Sequence, residues 1–467
     1  MGLRFDPIGG GQFKAAVKQI MEAESRPIRL LEAQKARQEA RMKLFEQFKT
    51  KVSDLQKSLG EISTFQKFRE FKVDMGDGAN LAEVTVDKEK AQPGSYALTI
   101  DQLAQRTSAI SNGFENPDAP VIGMGYIATH ETNGKDGEIF VDSEHSSLHG
   151  IANLINQTAD FPVRAAVIKD ASDSDTPWKL ILTAKKEGQA NEVNFPNFYF
   201  LDGEKEFYMD DDRDAKNAKI EMDGFPIEAE SNNLPDFLPG VNLHLKQANP
   251  GHPFTFTISE DHKKIAGKMK ALVDQLNTVF SFITKQNAVD EHSDTTTTFA
   301  GDTGLQSIEY RLRNLLQEGF PVGDPNSPGF HRLFFNQMGI EFEKTGQLKF
   351  SEDKFSNALE KNFDTISQGL TGPYGFSYQL RTVLDGYTRP LNGLLTIREQ
   401  GMRHNIQDID RQIDDKSRML DRRQQELTQK FARLEGSLAD LQRQQQYLSS
   451  TLPTAGGNNL VAQLLGG

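Results

Sequence analysis

The sequence predicts an α+β multidomain protein, in which terminal coiled-coil helices and a helical leg enclose inserted antiparallel β head domains. Residues 12–24, 44–62 and 406–448 carry apolar side chains at helical spacing. After Phe71 the chain instead shows short alternating stretches separated by Gly, Pro, Asn and Asp, which is typical of antiparallel strands. Helical periodicity returns from Ile265. We therefore expect a β head inserted into a leg whose two chain segments run together.

Two helices are predicted at the N-terminal end. Val17, Ile20 and Met21 share one face of the first, together with Phe13. Pro27 marks the start of the second, because its missing N–H costs nothing in a first helical turn. That helix continues with one narrow apolar stripe. The stripe consists of Leu44, Phe48, Val52, Leu55, Leu59 and Ile62.

Near the C-terminal end an apolar side chain recurs every seven residues without interruption. This heptad set is Ile406, Ile413, Leu420, Leu427, Leu434, Leu441 and Leu448, with the companions Ile409, Phe431, Leu438 and Leu452. Such a repeat between charged positions predicts a coiled coil of roughly 70 Å. In its middle the second core position is polar, at Lys416 or Ser417 and at Arg423 or Gln424. The apolar seam formed by the heptad set is therefore too narrow to make this helix stable alone, so we expect it to have a partner.

The central half predicts strands and one helix, and the leg follows. The predicted strands cover 83–87, 95–101, 163–168, 178–183 and 254–258. A helix is predicted from Ser147 to Thr158. Leg helices are predicted over 265–283, 305–316, 355–370 and 380–395.

Composition excludes several classes of protein. The 467 residues are enough for roughly three domains of about 150 residues. A net charge of −13 disfavours a nucleic-acid partner, which needs clustered cations. Cysteine is absent, so disulfides, thiolate nucleophiles and Cys-ligated zinc are excluded.

No apolar run reaches the ~18 residues of a membrane span and no apolar stretch opens the chain, so we expect neither membrane insertion nor a secretory signal. These rules alone favour a cytoplasmic protein.

Two motifs suggest metal sites and are better explained otherwise. Asp210, Asp212, Asp214 and Glu221 match positions of a calcium loop, but Ala215 replaces the required Gly. We expect a solvated acidic turn. His145 and His149 lie one helical turn apart without a third ligand nearby, so we expect surface histidines at a helix start.

A third motif imitates fragments of a serine acyl-enzyme site. Lys344-Thr-Gly346 and Ser351-Glu-Asp-Lys354 come in reversed order and too close together for such a site. We expect a hairpin turn over 344–347 and a helix N-cap at Ser351. Neither a phosphate loop nor a dinucleotide fingerprint occurs in the sequence. The sequence predicts a structural, assembling protein, with no enzymatic activity and no cofactor or metal.

Five blocks of the chain resemble the flagellar filament cap family, also called hook-associated protein 2. The blocks are Met21–Leu30, Pro93–Ala104, Ile220–Leu243, Met338–Phe350 and the heptad tail that ends at Gln446-Tyr-Leu448. Their order and spacing cover nearly the whole chain. The poorest match lies at about 114–218, where this chain has insertions of its own.

The resemblance implies a function that composition does not show. Members of the family form a homo-oligomeric ring of about five subunits at the distal filament tip. They promote the folding and insertion of flagellin without chemistry or cofactor. The resemblance further implies secretion through the flagellar type III export machinery, with a cytoplasmic export chaperone. Nucleic acid and membrane insertion are not expected. A tip adhesin that binds a cell surface through the variable head and a hook–filament junction protein stay open as alternatives.

The resemblance and the patterns together predict four regions and one interface. The terminal coiled-coil region is expected at 1–45 and 405–467, the leg at 46–72 and 262–404, the inner β head at 73–113 and 219–261, and the outer α/β head at 114–218. The expected oligomerisation and filament-contact residues are Val17, Ile20, Ile406, Ile409, Ile413, Leu420, Leu427, Phe431, Leu434, Leu438, Leu441 and Leu448.

Overall fold

The computed structural model describes residues 11–130, 136–159, 161–288, 298–324, 328 and 330–451. The chain divides into two compact units. Met1–Thr64 and Lys268–Gly467 form the first, which we call the helical unit, and Phe65–Gly267 forms the second, the head unit. The α+β multidomain architecture predicted from the sequence is confirmed.

The described residues form long helices at both ends and strands between them. The helices are α1 (Gly11–Glu24), α2 (Arg26–Gly60), α3 (Phe65–Phe68), α4 (Leu148–Gln157), α5 (His262–Asn287), α6 (Thr303–Gln317), α7 (Glu352–Thr371), α8 (Phe376–Thr388) and α9 (Leu394–Thr451). The strands before α5 are β1 (Phe71–Asp74), β2 (Ala82–Val86), β3 (Gly94–Gln102), β4 (Ser108–Ser111), β5 (Met124–His130), β6 (Asp136–Val141), β7 (Val163–Lys169), β8 (Trp178–Ala184), β9 (Asn197–Leu201), β10 (Met209–Arg213), β11 (Ala218–Met222), β12 (Phe225–Ala229), β13 (Asn233–Leu238), β14 (Val241–Leu245) and β15 (Phe254–Glu260). The short strands β16 (Phe320–Val322), β17 (His331–Leu333), β18 (Ile340–Phe342) and β19 (Leu348–Phe350) follow α6.

Helix α2 forms one side of the core of the helical unit. It begins with Pro27 in its first turn, as predicted. Phe48 is fully buried and stacks on Phe282 of α5, with ring centroids 5.4 Å apart. The predicted stripe is buried except at Leu44, which is half-buried beside the buried Phe45. The C-terminal half of α2 is therefore anchored in the core of the helical unit.

The predicted helix over Leu380–Leu395 is wrong, because the chain breaks between α8 and α9. Pro390 lies in the turn and has no N–H to donate to a helix. At Gly393 an added Cβ would lie 2.6 Å from the backbone N and O of Arg389. The break frees α9 to take its own direction from Leu394 onward.

One part of the head unit contains two antiparallel sheets around one core. One sheet has the strand order β1-β15-β3-β11-β12 and the other β13-β14-β2. Leu98, Ile100, Leu243 and Phe256 are fully buried in the cluster between them. The alternating pattern that predicted β2, β3 and β15 comes from this core, since every second side chain points inward.

A second part of the head unit contains two further antiparallel sheets and α4. The strand orders are β10-β4-β8-β7 and β6-β5-β9. Ile127, Ile151, Leu180 and Leu182 are fully buried in their common core. Ser147 caps α4 by accepting a hydrogen bond from the backbone N–H of Gly150, 3.1 Å away. The predicted helix and the predicted strands over 163–168 and 178–183 are confirmed.

The acidic turn predicted around Asp210 is wrong, since Met209–Arg213 is strand β10. Asp211 pairs with Ile110 of β4 at the edge of the sheet. Asp210 to Arg213 are all exposed, so no alternation of apolar and polar residues marked the strand. Charge on an edge strand also discourages pairing with other chains.

Candidate assembly interface

Helix α9 lies antiparallel to α1 and α2 within the helical unit. Ion pairs join α9 to the N-terminal helices. Along these pairs the residue number in α9 falls as the residue number in α1 or α2 rises, and the register stays nearly the same from pair to pair. They are Glu24–Arg423 at 3.5 Å, Lys35–Asp410 at 2.6 Å, Glu46–Arg403 at 3.2 Å and Lys49–Glu399 at 2.6 Å. The coil predicted from the heptad tail thus has an internal partner.

These ion pairs specify register more than they stabilise the coil. Lys35 donates a hydrogen bond to Asp410, which raises the pKa of Lys35. Lys49 donates to Glu399 and lowers the pKa of that carboxyl, and Arg403 adds to the effect. Most of these side chains are partly exposed, where an ion pair contributes about 0–1 kcal/mol. Apolar contacts must therefore supply most of the coil's stability.

The structure divides the predicted interface residues into a covered and an uncovered group. Ile409 and Leu427 are buried. The half-buried residues are Val17, Ile20, Ile406, Ile413, Leu420 and Phe431. The exposed residues are Leu434, Leu438, Leu441 and Leu448, with between 44% (Leu438) and 62% (Leu441) of each side chain accessible. Leu452 and the side chain of Phe13 lie outside the described residues.

Two hollows mark where the seam is thin. One of about 300 Å³ lies between the start of α2 and α9, lined by Ile28, Met419 and Leu420 with the polar Lys416 and Arg423. The other, of about 540 Å³, lies between α1 and α9. Its lining includes Lys14, Val17, Lys18, Met21, Phe431 and Glu435. Polar residues of the second core position line both hollows, Lys416 and Arg423 the smaller one and Gln424 the larger one.

Sequence reasoning missed Met419 and Ile28 as parts of this interface. Both line the smaller hollow, and Met419 is exposed on α9. Met419 precedes the heptad residue Leu420, so a wider apolar stripe could have included it. Ile28 follows Pro27 in the first turn of α2, before the regular apolar stripe of that helix begins at Leu44.

The motifs that imitate metal or catalytic sites have structural explanations. His145 Nδ1 lies 2.7 Å from Asp142 Oδ1, and His149 Nδ1 lies 2.7 Å from Asp118 Oδ1, so each histidine has its own acidic neighbour. Within the described ranges, no group of three or more His, Asp or Glu is placed to hold a metal ion.

The remaining motif forms a hairpin followed by a helix start, as predicted. Glu343 N donates to Gln347 O at 2.8 Å in the turn between β18 and β19. Ser351 occupies the N-cap position of α7, although its side chain makes no capping hydrogen bond.

In the part of the chain that the structure describes, no helix is long and apolar enough to cross a membrane.

The chain combines a head unit of antiparallel sheets with a helical unit whose heptad seam is incompletely covered. Two family models match this chain. "Flagellar hook-associated protein 2 N-terminus" matches residues 10–107, and "Flagellar hook-associated protein 2 C-terminus" matches residues 215–443. Together they cover most of the chain.

Two relatives match this chain over more than nine-tenths of their own length. The A-type flagellar hook-associated protein 2 of Pseudomonas aeruginosa is 24% identical, over 88% of this chain and 91% of its own. The flagellar hook-associated protein 2 of Xenorhabdus nematophila is 23% identical, over 91% of this chain and 94% of its own. A crystal structure of the D1-D2-D3 domains of the Escherichia coli flagellar cap protein shares the fold, with a TM-score of 0.56 and 18% identity over 77% of this chain and 99% of that one. The chain belongs to the flagellar hook-associated protein 2 family.

Proposed function

We propose that this protein is the structural cap at the distal tip of the bacterial flagellar filament. It assembles with copies of itself into a ring, of about five subunits as the family resemblance implies, and promotes the folding and insertion of flagellin. One observation carries the proposal: the heptad leucines of α9 from Leu434 onward are exposed within the single chain. A sustained apolar seam of this kind gains its stability when another helix covers it.

The same seam suits contacts that must be remade as the filament grows. A narrow apolar stripe, such as that of Leu434, Leu441 and Leu448, loses little area when a partner helix shifts, whereas a broad hydrophobic interface would resist the shift. The predicted contact residues, from Val17 and Ile20 to Leu448, thus become the proposed surface for the filament end and for neighbouring subunits. The function requires no cofactor and no enzymatic chemistry.

The proposal includes the route to the filament tip and the organisation of the chain. We expect secretion through the flagellar type III export machinery, helped by a cytoplasmic export chaperone. We also propose the finer division into a terminal coil (1–45 and 405–467), a leg (46–72 and 262–404), an inner head (73–113 and 219–261) and an outer head (114–218). The terminal coil would attach the cap, and the heads would form its plate.

A paired substitution tests the role of the exposed leucines. Leu434→Gln with Leu441→Gln keeps good helix formers on α9 but removes two apolar seam positions. In cells that lack the native protein, we expect this variant to fail to support filament growth while its head stays folded. Fluorescence of Trp178, the single tryptophan, reports the fold of the head.

The control for that test is Leu391→Gln, because Leu391 is 91% exposed but precedes α9 and lies outside the seam. It should support growth like the wild-type protein. Filament growth with the paired variant would refute the seam as the attachment surface. Localisation of the protein at the filament base would instead favour the hook–filament junction alternative.

A further inference from the structure

The sheet β6-β5-β9 of the head unit exposes an aromatic row on its outer face. Tyr126 of β5 pairs directly with Phe140 of β6 on one side and with Tyr199 of β9 on the other. Their side chains are 50%, 57% and 60% exposed. The aromatic row therefore crosses all three strands at right angles to the chain, one ring per strand.

The opposite face of this sheet is an ordinary core face, which fixes the aromatic row in place. Ile127, Ile139 and Val141 are buried in the core that this sheet shares with α4, β7 and β8. Successive side chains alternate between the two faces, so Tyr126 and Phe140 can only point outward. Their rings also contact each other, with centroids 5.4 Å apart at an angle of 57°. The row is held by its backbone and by mutual packing.

The backbones of β5 and β9 approach closely at the centre of the sheet. Gly125 lies opposite Phe200, and a Cβ at this position would fall 1.9 Å from the carbonyl oxygen of Tyr199. Only glycine lets β5 and β9 come this close beside the aromatic row. A rigid surface loses little conformational entropy when a ligand binds.

Charge on this face argues against anionic ligands. The outward positions from Met124 to Ala128, from Glu138 to Phe140 and from Asn197 to Leu201 include no Lys or Arg. Glu138 and Asn197, both paired with Ala128, instead supply polar groups along one side of the aromatic row. Nucleic acid and anionic lipid need cations, so neither fits this face.

The patch formed by the aromatic row and its three strands is by itself too small for a stable protein partner. Adjacent strands lie about 4.8 Å apart, so the aromatic row from Phe140 to Tyr199 spans about 10 Å. Five residues of β5, from Met124 to Ala128, cover about 17 Å along the strand. This footprint is far below the ~800 Å² per partner of a stable protein interface. An elongated small ligand with apolar faces and a hydrophilic edge fits better.

We propose that the aromatic row is a binding platform for neutral carbohydrate. Pyranose rings present an apolar C–H face that stacks on aromatic rings and an edge of hydroxyl groups. One aromatic ring per strand matches the scale of consecutive sugar units. The hydroxyl groups of Tyr126 and Tyr199, with Asn197 and Glu138, supply hydrogen-bond partners for the sugar hydroxyls. This site lies in the head unit, and its proposal does not depend on the coil acting in the cap.

Affinity electrophoresis of the full-length protein tests the platform. Native gels contain a soluble β-glucan, an α-mannan or a galactan as neutral probes, and polygalacturonate as an acidic one. We expect at least one neutral polysaccharide, but not polygalacturonate, to retard the wild-type protein. Replacing Tyr126→Ala or Tyr199→Ala should weaken binding of that polysaccharide about tenfold. Tyr126→Phe, which keeps the ring, should lose less.

Matched controls separate this inference from the cap function. Tyr310→Ala removes a tyrosine that is 67% exposed on α6, outside the head unit, and should bind like wild type. The Tyr126→Ala and Tyr199→Ala variants should still support filament growth. The platform is refuted if no neutral probe retards the protein, or if Tyr310→Ala weakens binding equally. It is also refuted if the Tyr126 or Tyr199 variants change the assembly state or abolish filament growth, since the face would then join protein copies.

Discussion

At the scale of single residues, the carboxylate of Asp170 in the head unit is held by three hydrogen bonds. Its carboxylate accepts hydrogen bonds from the hydroxyl of Ser172 at 2.6 Å and from the Ser172 backbone N–H at 3.0 Å. Lys179, next to Trp178, donates to it at 3.0 Å. These donors favour the charged form and lower the pKa of Asp170 to about 2.

The lowered pKa of Asp170 predicts how the head responds to acid. A carboxyl with a lowered pKa stabilises the folded state above its ordinary pKa of about 3.9, and this stabilisation disappears as the pH falls towards about 2. Asp170→Asn should therefore lower head stability at pH 5 and not near pH 2. Urea unfolding followed by Trp178 fluorescence measures both. Glu204→Gln, an exposed carboxylate after β9, is the control. An equal effect of Asp170→Asn at both pH values would contradict the assignment.

At the scale of elements, α9 carries two kinds of heptad leucine. Leu427 is buried against its neighbours, whereas Leu434, one heptad later, is 55% exposed. The sequence pattern treats them alike, because both occupy the same heptad position. Only the placement of α1 and α2 distinguishes them.

That difference predicts opposite results from the same substitution. Leu427→Ala removes a covered side chain and should destabilise the coil by about 2 kcal/mol or more. Leu434→Ala should change the stability of the single chain by less than about 0.5 kcal/mol. Hydrogen exchange of the α9 amides, measured on dilute protein, compares the two. Equal exchange in both variants would mean that the seam is covered evenly.

Elements with strong periodicity were predictable and elements without it were not. The heptad tail and the alternating strands β7 and β8 gave clear local patterns. The hairpin of β11 and β12 was missed, although its two-residue Asp223-Gly224 turn, with φ of 48° and 86°, is a typical hairpin signal. The exposed edge strand β10 gave no apolar signal at all.

At the scale of the whole molecule, the head unit contains its own cores. Its two buried clusters draw only on residues between Phe71 and Ile258. The terminal helices belong to the other compact unit. Folding of the head and association through the coil should therefore be separable.

Removing residues 1–45 and 405–467 tests this separation. We expect the full-length protein to form discrete rings as its concentration rises, and the shortened protein to stay monomeric. Sedimentation velocity measures the mass of both. The midpoint of head unfolding, reported by Trp178, should be the same in both proteins. Assembly of the shortened protein would place the main subunit contacts outside the terminal coil.

The sequence by itself determined the kind of each strongly periodic element and the family of the chain, because periodicity and motif order are local properties. Burial is not local, since it depends on which other elements cover a side chain. Tertiary structure alone therefore decided that Leu427 is covered and Leu434 is not. It alone also joined Tyr126, Phe140 and Tyr199 into one row, because strand register brings together residues that are distant along the chain.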